Sequence, residues 1–269
     1  MRKLLAKQFT SRNNFPQSTV SKDVPNIIHF IYGFLPQTEP FEYYKYIAIL
    51  SAYTINKPDT IFFYYQHEPF GPLWDKVKSL LTLQKITPPT SYNGIKISHY
   101  AHQADLLRLQ LLYQHGGIYL DIDTICIKPF LPLLNHDITL GYQGDHGLCN
   151  AVIIAKPRNS FILKWIQSYS TFRSTGKDQY YDEHSVILPM KLAFQRTDVN
   201  VLSDNAFFFP LAEHIVNVLF NDVHREEDKQ KILDNSYCIH LWESMTYQFL
   251  KDIESKNTLY NFFAQKTEN

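Results

Sequence analysis

The chain has 269 residues, 45% of them hydrophobic and 15% aromatic, enough to bury one large α/β domain or two small ones. Lysine plus arginine equals aspartate plus glutamate at 26 each, which argues against a nucleic-acid-binding protein and against one steered strongly to a membrane by charge. No stretch approaches the roughly twenty apolar residues of a membrane span, and the basic start MRKLLAKQFTSRNNFPQ lacks an apolar run of signal-peptide length.

Residues 1–23 are polar and read as a loosely held arm, leaving 24–269 as a single domain. Pro25-Asn26 introduces the continuous apolar run Ile27 to Tyr32, the pattern of a central parallel strand. A helix is expected from Phe41 to Ile55, broken by Asn56-Lys57-Pro58-Asp59, then a strand from Thr60 to Tyr65. Pro72 to Leu81 suits a second helix and Gln84 to Thr87 a short strand. Strand and helix alternating in this way imply a parallel sheet with right-handed crossovers.

Ser98 to His115 contains no Pro or Gly and is rich in Leu, Ala and Gln, so it reads as a helix capped by Ser98 and stopped by Gly116-Gly117. It is apolar nearly all round and should be buried. Asp105 and Arg108 are then interior charges, either an i,i+3 ion pair or ligands for a substrate anion or sugar. Ile118 to Leu120 is a short buried strand, and Asp121 and Asp123 follow where it runs out. In extended chain the two carboxylates project to the same side at the carboxyl end of a strand, where α/β sheets bind ligands. They repel unless a cation sits between them, and hard ions such as Mg²⁺ or Mn²⁺ share oxygen ligands with a substrate's phosphates.

Beyond Phe130, Asp137 to Tyr142 and Cys149 to Ala155 look like strands joined by the polar turn Gln143 to Gly147, followed by a helix from Ser160 to Ser170. Tyr180 to Ala193 has a helical apolar pattern, and Phe207 to Pro210 reads as an aromatic strand end. His224 to Lys231 is a charge run on a solvated face, Tyr237 to Trp242 a late strand, and Tyr247 to Phe263 a closing helix. Cys126, Cys149 and Cys238 lack any ligand spacing and read as reduced, buried thiols in a reducing compartment. His29, inside the first strand, reads as a hydrogen-bonded core histidine; His99, His102 and His115 lack the spacing of a helical metal site.

The ordered set AxxxDxxR (Ala101, Asp105, Arg108) and GGxYLDxD (Gly116 to Asp123), preceded by PNIIHFIYG (Pro25 to Gly33), resembles the sugar-transferring enzymes of glycosyltransferase family 32. The sugar-transferring domains of large clostridial toxins share the pattern. The likeness extends more loosely to Asn150, to DEHSVILP (Asp182 to Pro189) and to HLWES (His240 to Ser244). It implies a GT-A fold, a mostly parallel central sheet flanked by helices, and a divalent metal, Mn²⁺ or Mg²⁺, held on a nucleotide-sugar diphosphate by Asp121 and Asp123. It further implies that Asp105 and Arg108 grip the donor sugar, that Tyr119 lines the nucleoside pocket, and that Tyr32 stands where relatives stack a Trp on the base. His240, Trp242 and Ser244 match a late motif closing over the diphosphate, with His240 a candidate third metal ligand, and Asn150 matches a donor or acceptor contact.

The implied activity is retaining transfer from a UDP-sugar, with a GDP-sugar such as GDP-mannose as the alternative, to a glycan, glycolipid or surface polysaccharide. A protein acceptor, as in the toxin-like relatives, and plain nucleotide-sugar hydrolysis are the rival activities. A non-catalytic sugar-binding module has little use for the complete set Asp105, Arg108, Asp121 and Asp123. Relatives of the secretory pathway usually carry an N-terminal anchor, and none is visible here. The expected place is therefore the cytoplasm, peripherally at the inner face of a membrane where glycans are built.

Overall fold

The computed structural model of the protein describes residues 24–221, 225–251 and 258–268. The arm 1–23, His224 of the charge run and 252–257 of the expected closing helix lie outside the described residues. β1 (Ile27–Ile31), α1 (Tyr43–Asn56), β2 (Thr60–Tyr65), α2 (Pro72–Val77) and β3 (Thr82–Lys85) come first. A small hairpin, β4 (Ser91–Tyr92) and β5 (Ile95–Lys96), leads into α3 (Tyr100–His115), β6 (Gly117–Leu120) and β7 (Thr124–Cys126). Next are β8 (Ile138–Tyr142), β9 (Leu148–Ala155), α4 (Ser160–Ser168), a π-helical turn (Glu183–Ile187) running into α5 (Leu188–Ala193), and β10 (Asn200–Leu202). The last elements are α6 (Asp204–Phe207), α7 (Ile215–Leu219), α8 (Glu226–Asn235), β11 (Cys238–His240), α9 (Glu243–Leu250) and α10 (Leu259–Glu268).

The main sheet has seven strands in the order β10-β8-β9-β6-β1-β2-β3. β6, β1, β2 and β3 run parallel to one another, as do β8 and β10, and β9 alone is reversed against β6 and β8. The expected mostly parallel sheet flanked by helices is what forms. β9 is reversed because β8 reaches it through the tight turn at Gln143, whose N–H donates to Gly147 O at 2.8 Å, and a short connection permits only antiparallel pairing.

Strand alternation divides the core in two. Ile28, Phe30, Ile118 and Leu120 face α1, whose Tyr44, Ile47 and Ala52 are fully buried against them. Ile31 and Tyr119 face the opposite layer, where Leu106, Leu109 and Leu112 of α3 meet Phe161 and Trp165 of α4. Burial of both faces explains the unbroken apolar runs of β1 and β9. His29 is buried between the layers and spans two elements: Nε2–H donates to Gly116 O at 2.8 Å and Nδ1 accepts from Tyr64 Oη at 3.2 Å. Gly117 has φ +102°, and a Cβ there would stand 2.6 Å from Ile27 O and 3.1 Å from His29 Nε2; only glycine fits between helix and strand.

Several boundaries differ from expectation. His99, not Ser98, caps α3, its Nδ1 accepting from Ala101 N at 3.3 Å. β3 starts two residues early, at Thr82, because its register is set by pairing with Phe62–Tyr65 rather than by its own weak apolar pattern. Phe207 ends a helical turn instead of a strand, and its ring packs on Phe130 and Phe208 in the core. The closing helix is two helices, α9 and α10, with α9 starting at Glu243. Among the described residues no helix is long and apolar enough to cross a membrane.

The late strand expected at Tyr237 to Trp242 forms as β11, but in an unexpected second sheet, where it pairs antiparallel with β7. This sheet sits beside the main sheet, held by α1: Ser51 Oγ accepts from Cys126 N, and Asn56 Oδ1 from Phe130 N, both at 2.9 Å.

Candidate active site

A cavity of about 620 Å³ opens at the carboxyl ends of β1 and β6. Tyr32, Lys45, Arg108, Tyr119, Asp121, Asp123, His240, Trp242, Ser244 and Glu243 stand on its wall. Sheet geometry puts it there, since parallel strands deliver their following loops to one edge.

Asp121 and Asp123 do not lie on extended chain. β6 stops at Leu120, and a turn closed by Thr124 N donating to Asp121 O at 3.0 Å carries both residues. The carboxylates converge through that turn, not through strand periodicity. Each has one oxygen anchored away from the other and one turned toward His240. Asp121 Oδ1 accepts from Tyr119 Oη at 2.7 Å and meets Arg108 Nη1 at 3.0 Å, while Oδ2 faces His240 Nε2 at 3.9 Å. Asp123 Oδ2 accepts from Glu243 N at 2.7 Å, while Oδ1 lies 3.2 Å from His240 Nε2. The donor N–H belongs to the first turn of α9, so the helix's positive end supports this carboxylate. To present it, Trp242 adopts φ +55° and ψ +52°, a left-handed conformation costly for a bulky residue and held by its Nε1–H donating to Pro210 O at 3.2 Å.

His240 is buried, its Nδ1 has no hydrogen-bond partner among the described residues, and its ring rests on Trp242 at 4.3 Å. The ring is thus aimed by packing. One ligand atom from each of Asp121, Asp123 and His240 lies within 4.8 Å of the others. The charges respond to one another. Burial and the Asp123 charge push Asp121 above the usual carboxylate value against the pull of Arg108. For Asp123, burial is outweighed by His240 and the Glu243 N–H, which hold it below that value. Burial opposes the charged form of His240, yet the two carboxylates raise it above the ordinary histidine value. Two carboxylates and an imidazole whose three donor atoms converge fit a divalent cation.

Arg108 is 5% exposed and joins the two halves of the site. Its guanidinium bridges Asp105 Oδ1 at 3.2 Å and Asp121 Oδ1 at 3.0 Å, donates to Asn150 O at 2.7 Å, and lies 4.4 Å from the Tyr119 ring centre. The i,i+3 pair therefore forms, and Arg108 also reaches the cavity wall. Asp105 and Asn150 lie behind it: Asn150 Nδ2 donates to Asp105 Oδ1 at 2.7 Å, and His102 Nδ1 meets Asp105 Oδ2 at 3.3 Å. Burial would raise Asp105, but Arg108, His102 and Asn150 hold it below the ordinary carboxylate value.

Sequence reasoning missed the opposite wall. Lys45, only 2% exposed, donates to Tyr32 Oη at 2.9 Å and Glu42 Oε2 at 2.7 Å, and lies 3.4 Å from Glu243 Oε1. Tyr44 Oη donates to Glu243 Oε1 at 2.6 Å. A lysine inside an otherwise apolar helix, three residues after a glutamate, was the available signal. His102, read as background, ties Asp105 to Ser174 Oγ at 2.9 Å, and Lys177 and Tyr181 of the following segment reach the wall.

Residues 34–140 match the glycosyltransferase sugar-binding region containing the DXD motif, and residues 185–267 match the alpha 1,4-glycosyltransferase conserved region. Glucan organizing enzyme 1 of Cryptococcus neoformans is 37% identical over 254 residues, covering 88% of this chain and 68% of the relative. The chain belongs to the DXD-containing glycosyltransferases. This glycosyltransferase is also similar to the lactosylceramide 4-alpha-galactosyltransferase of Mus musculus, at 25% identity over 171 residues, 60% of this chain and 46% of that one. A solved structure, the PaToxG glycosyltransferase, aligns over 91% of this chain and 87% of its own with a TM-score of 0.47 and 16% identity. The sheet order and the carboxylate turn at its edge are the GT-A architecture of this glycosyltransferase.

Proposed function

We propose that this glycosyltransferase transfers a hexose, with retention, from a nucleotide sugar to a glycan or glycolipid acceptor, aided by a divalent cation. The observation that carries this reading is the convergence of the unanchored oxygens of Asp121 and Asp123 with His240 Nε2 on the wall that Arg108 also reaches. Asp121, Asp123 and His240 would hold the cation, which supplies positive charge to a leaving diphosphate. The two carboxylates suit Mn²⁺ or Mg²⁺. The glycolipid acceptor is supported by the likeness to the mouse lactosylceramide 4-alpha-galactosyltransferase.

The chain's own residues supply the rest. Arg108 offers a guanidinium fixed beforehand on the same side as the carboxylate turn, where charge grows as the sugar–phosphate bond opens. Tyr119 and Asn150 fix its plane, so it does not reorganise during the reaction. Asp105 acts behind it, setting that orientation. The Tyr32 ring, pinned by Lys45 and set edge-on against Phe41, offers a flat face to a nucleobase, for which we favour uracil. Trp242 and Ser244 would close the diphosphate side of the cavity.

The test is a panel of UDP- and GDP-sugars with Mn²⁺, scored for nucleotide release with and without lactosylceramide or oligosaccharide acceptors. Acceptor-dependent release is expected, lowered by about 10²-fold or more in Asp121→Asn/Asp123→Asn. Fast release that no acceptor accelerates would make the protein a hydrolase, and full activity in the double variant would remove the cation from the reading.

A further inference from the structure

The second sheet contains a feature that the transfer reaction does not use. In the β7–β11 pairing Cys126 stands directly opposite Cys238, Ile125 opposite Ile239, and Thr124 opposite His240. Backbone hydrogen bonds fix the type of each pair. Ile127 N donates to Tyr237 O at 2.8 Å, and Leu241 N donates to Asp123 O at 2.9 Å. Hydrogen-bonded and non-hydrogen-bonded pairs alternate along an antiparallel ladder. The cysteine pair is therefore non-hydrogen-bonded, the kind whose Cα atoms approach to about 4.5 Å with side chains on one face. Disulfides span Cα separations of roughly 4.4–6.8 Å. The two cysteines thus meet the backbone requirement without movement of either strand.

Both thiols are free in the structure and buried, at 1% and 0% exposure. The Cys238 Sγ–H donates to Phe207 O at 3.7 Å, an interaction that a change of rotamer releases. Cys149, by contrast, lies on β9 opposite Gly141.

We propose that Cys126 and Cys238 form a cross-strand disulfide site, closed by a low-molecular-weight disulfide such as oxidised glutathione while the chain folds. The Cys126 thiolate attacks one sulfur of the oxidised glutathione, forming a mixed disulfide and releasing one reduced glutathione. The Cys238 thiolate then attacks the Cys126 sulfur and releases the second. The protein thiols lose two protons and two electrons, and the glutathione disulfide takes up both. Closure happens during folding because, once β7 and β11 have paired, burial excludes the oxidant from either sulfur. The bond staples together β7, which begins just after Asp123, and β11, which ends at His240, and it fixes their register two residue pairs from His240. The site exists in either redox environment, and it reverses the expectation of permanently reduced thiols only where folding meets an oxidant.

The full chain is refolded in parallel in a mixture of oxidised and reduced glutathione and in dithiothreitol. Each preparation is unfolded in denaturant, its free thiols are blocked with iodoacetamide, and it is digested without reduction. The expected result is a peptide pair joined through Cys126 and Cys238, two hydrogens lighter than its parts, with Cys149 alkylated. The oxidised protein should melt several degrees above the reduced one. Cys149→Ser should keep that difference, and Cys126→Ser/Cys238→Ser should abolish it. Alkylation of all three cysteines in the oxidised preparation, a bond through Cys149, or a joined pair that does not raise the melting temperature would each overturn the proposal. None of these outcomes depends on sugar transfer, so the disulfide and the enzymatic reading fail separately.

Discussion

Arg108 touches two carboxylates, a backbone carbonyl and an aromatic face from a single buried position. Removing it leaves Asp105 and Asp121 as neighbouring interior anions. Arg108→Ala should therefore lower stability by about 3–5 kcal/mol in urea unfolding as well as weaken donor binding. An unchanged midpoint would show that water reaches both carboxylates. Asp105 and Arg108 were legible as an unusual interior pair, but the sequence could not show that Asn150, 45 residues on, would orient the aspartate. His29 makes the clearest pH prediction. Burial, aided by the nearby His115, pushes it down to about 3 from 6.5. The unfolded chain takes up that proton as pH falls through 6.5 and the folded chain does not. Stability is thus fully present above 6.5 and declines toward about 3, by about 1.4 kcal/mol per pH unit. His29→Gln should flatten the slope of unfolding free energy between pH 6 and 4 relative to the wild type.

At the scale of elements, α1 does two tasks that its sequence only half announces. Its apolar face covers the sheet, as its composition suggests, while Ser51 and Asn56 hold the strand after the carboxylate turn. Ser51→Ala leaves the buried Cys126 N–H without its acceptor, and a loss of about 1–3 kcal/mol is expected in denaturant titration. Strands β1, β2, β6 and β9 were legible because burial on both faces leaves an unbroken apolar run. β11 was expected within Tyr237 to Trp242, but β7 and the pairing of the two were not, since a three-residue strand carries almost no periodic signal and its partner is remote in the chain. The carboxylate pair was legible for its chemistry and misread in its backbone: D-x-D fits an extended strand or a turn equally well, and only the Ala151 and Thr124 backbone bonds decide. Lys45 could be seen as odd within its helix, but its remote partner Glu243 could not.

For the whole molecule, the site is assembled across a seam. Arg108 on α3, with Asp121 and Asp123 in the turn after the central strand β6, come from the middle of the chain, while His240, Trp242 and Glu243 come from its last part on the second sheet and α9. A cation bound by Asp121, Asp123 and His240 ties the two together. Adding Mn²⁺ should raise the melting temperature and slow amide exchange at 123–126 and 238–243 together, leaving β10 at the far edge unaffected. Equal slowing everywhere would point to a global effect instead of a tie across the seam.

The bond from Glu243 N to Asp123 Oδ2 spans 120 residues, and that separation has a temporal meaning. During synthesis, at about 5–20 residues per second, the carboxylate turn leaves the ribosome several seconds before the histidine and helix that complete it. The nascent chain must carry two neighbouring anions and a half-covered sheet edge through that interval. A chaperone or the ribosome surface has its longest opportunity there, and slowing translation between the two halves should change yield more than slowing it after residue 243.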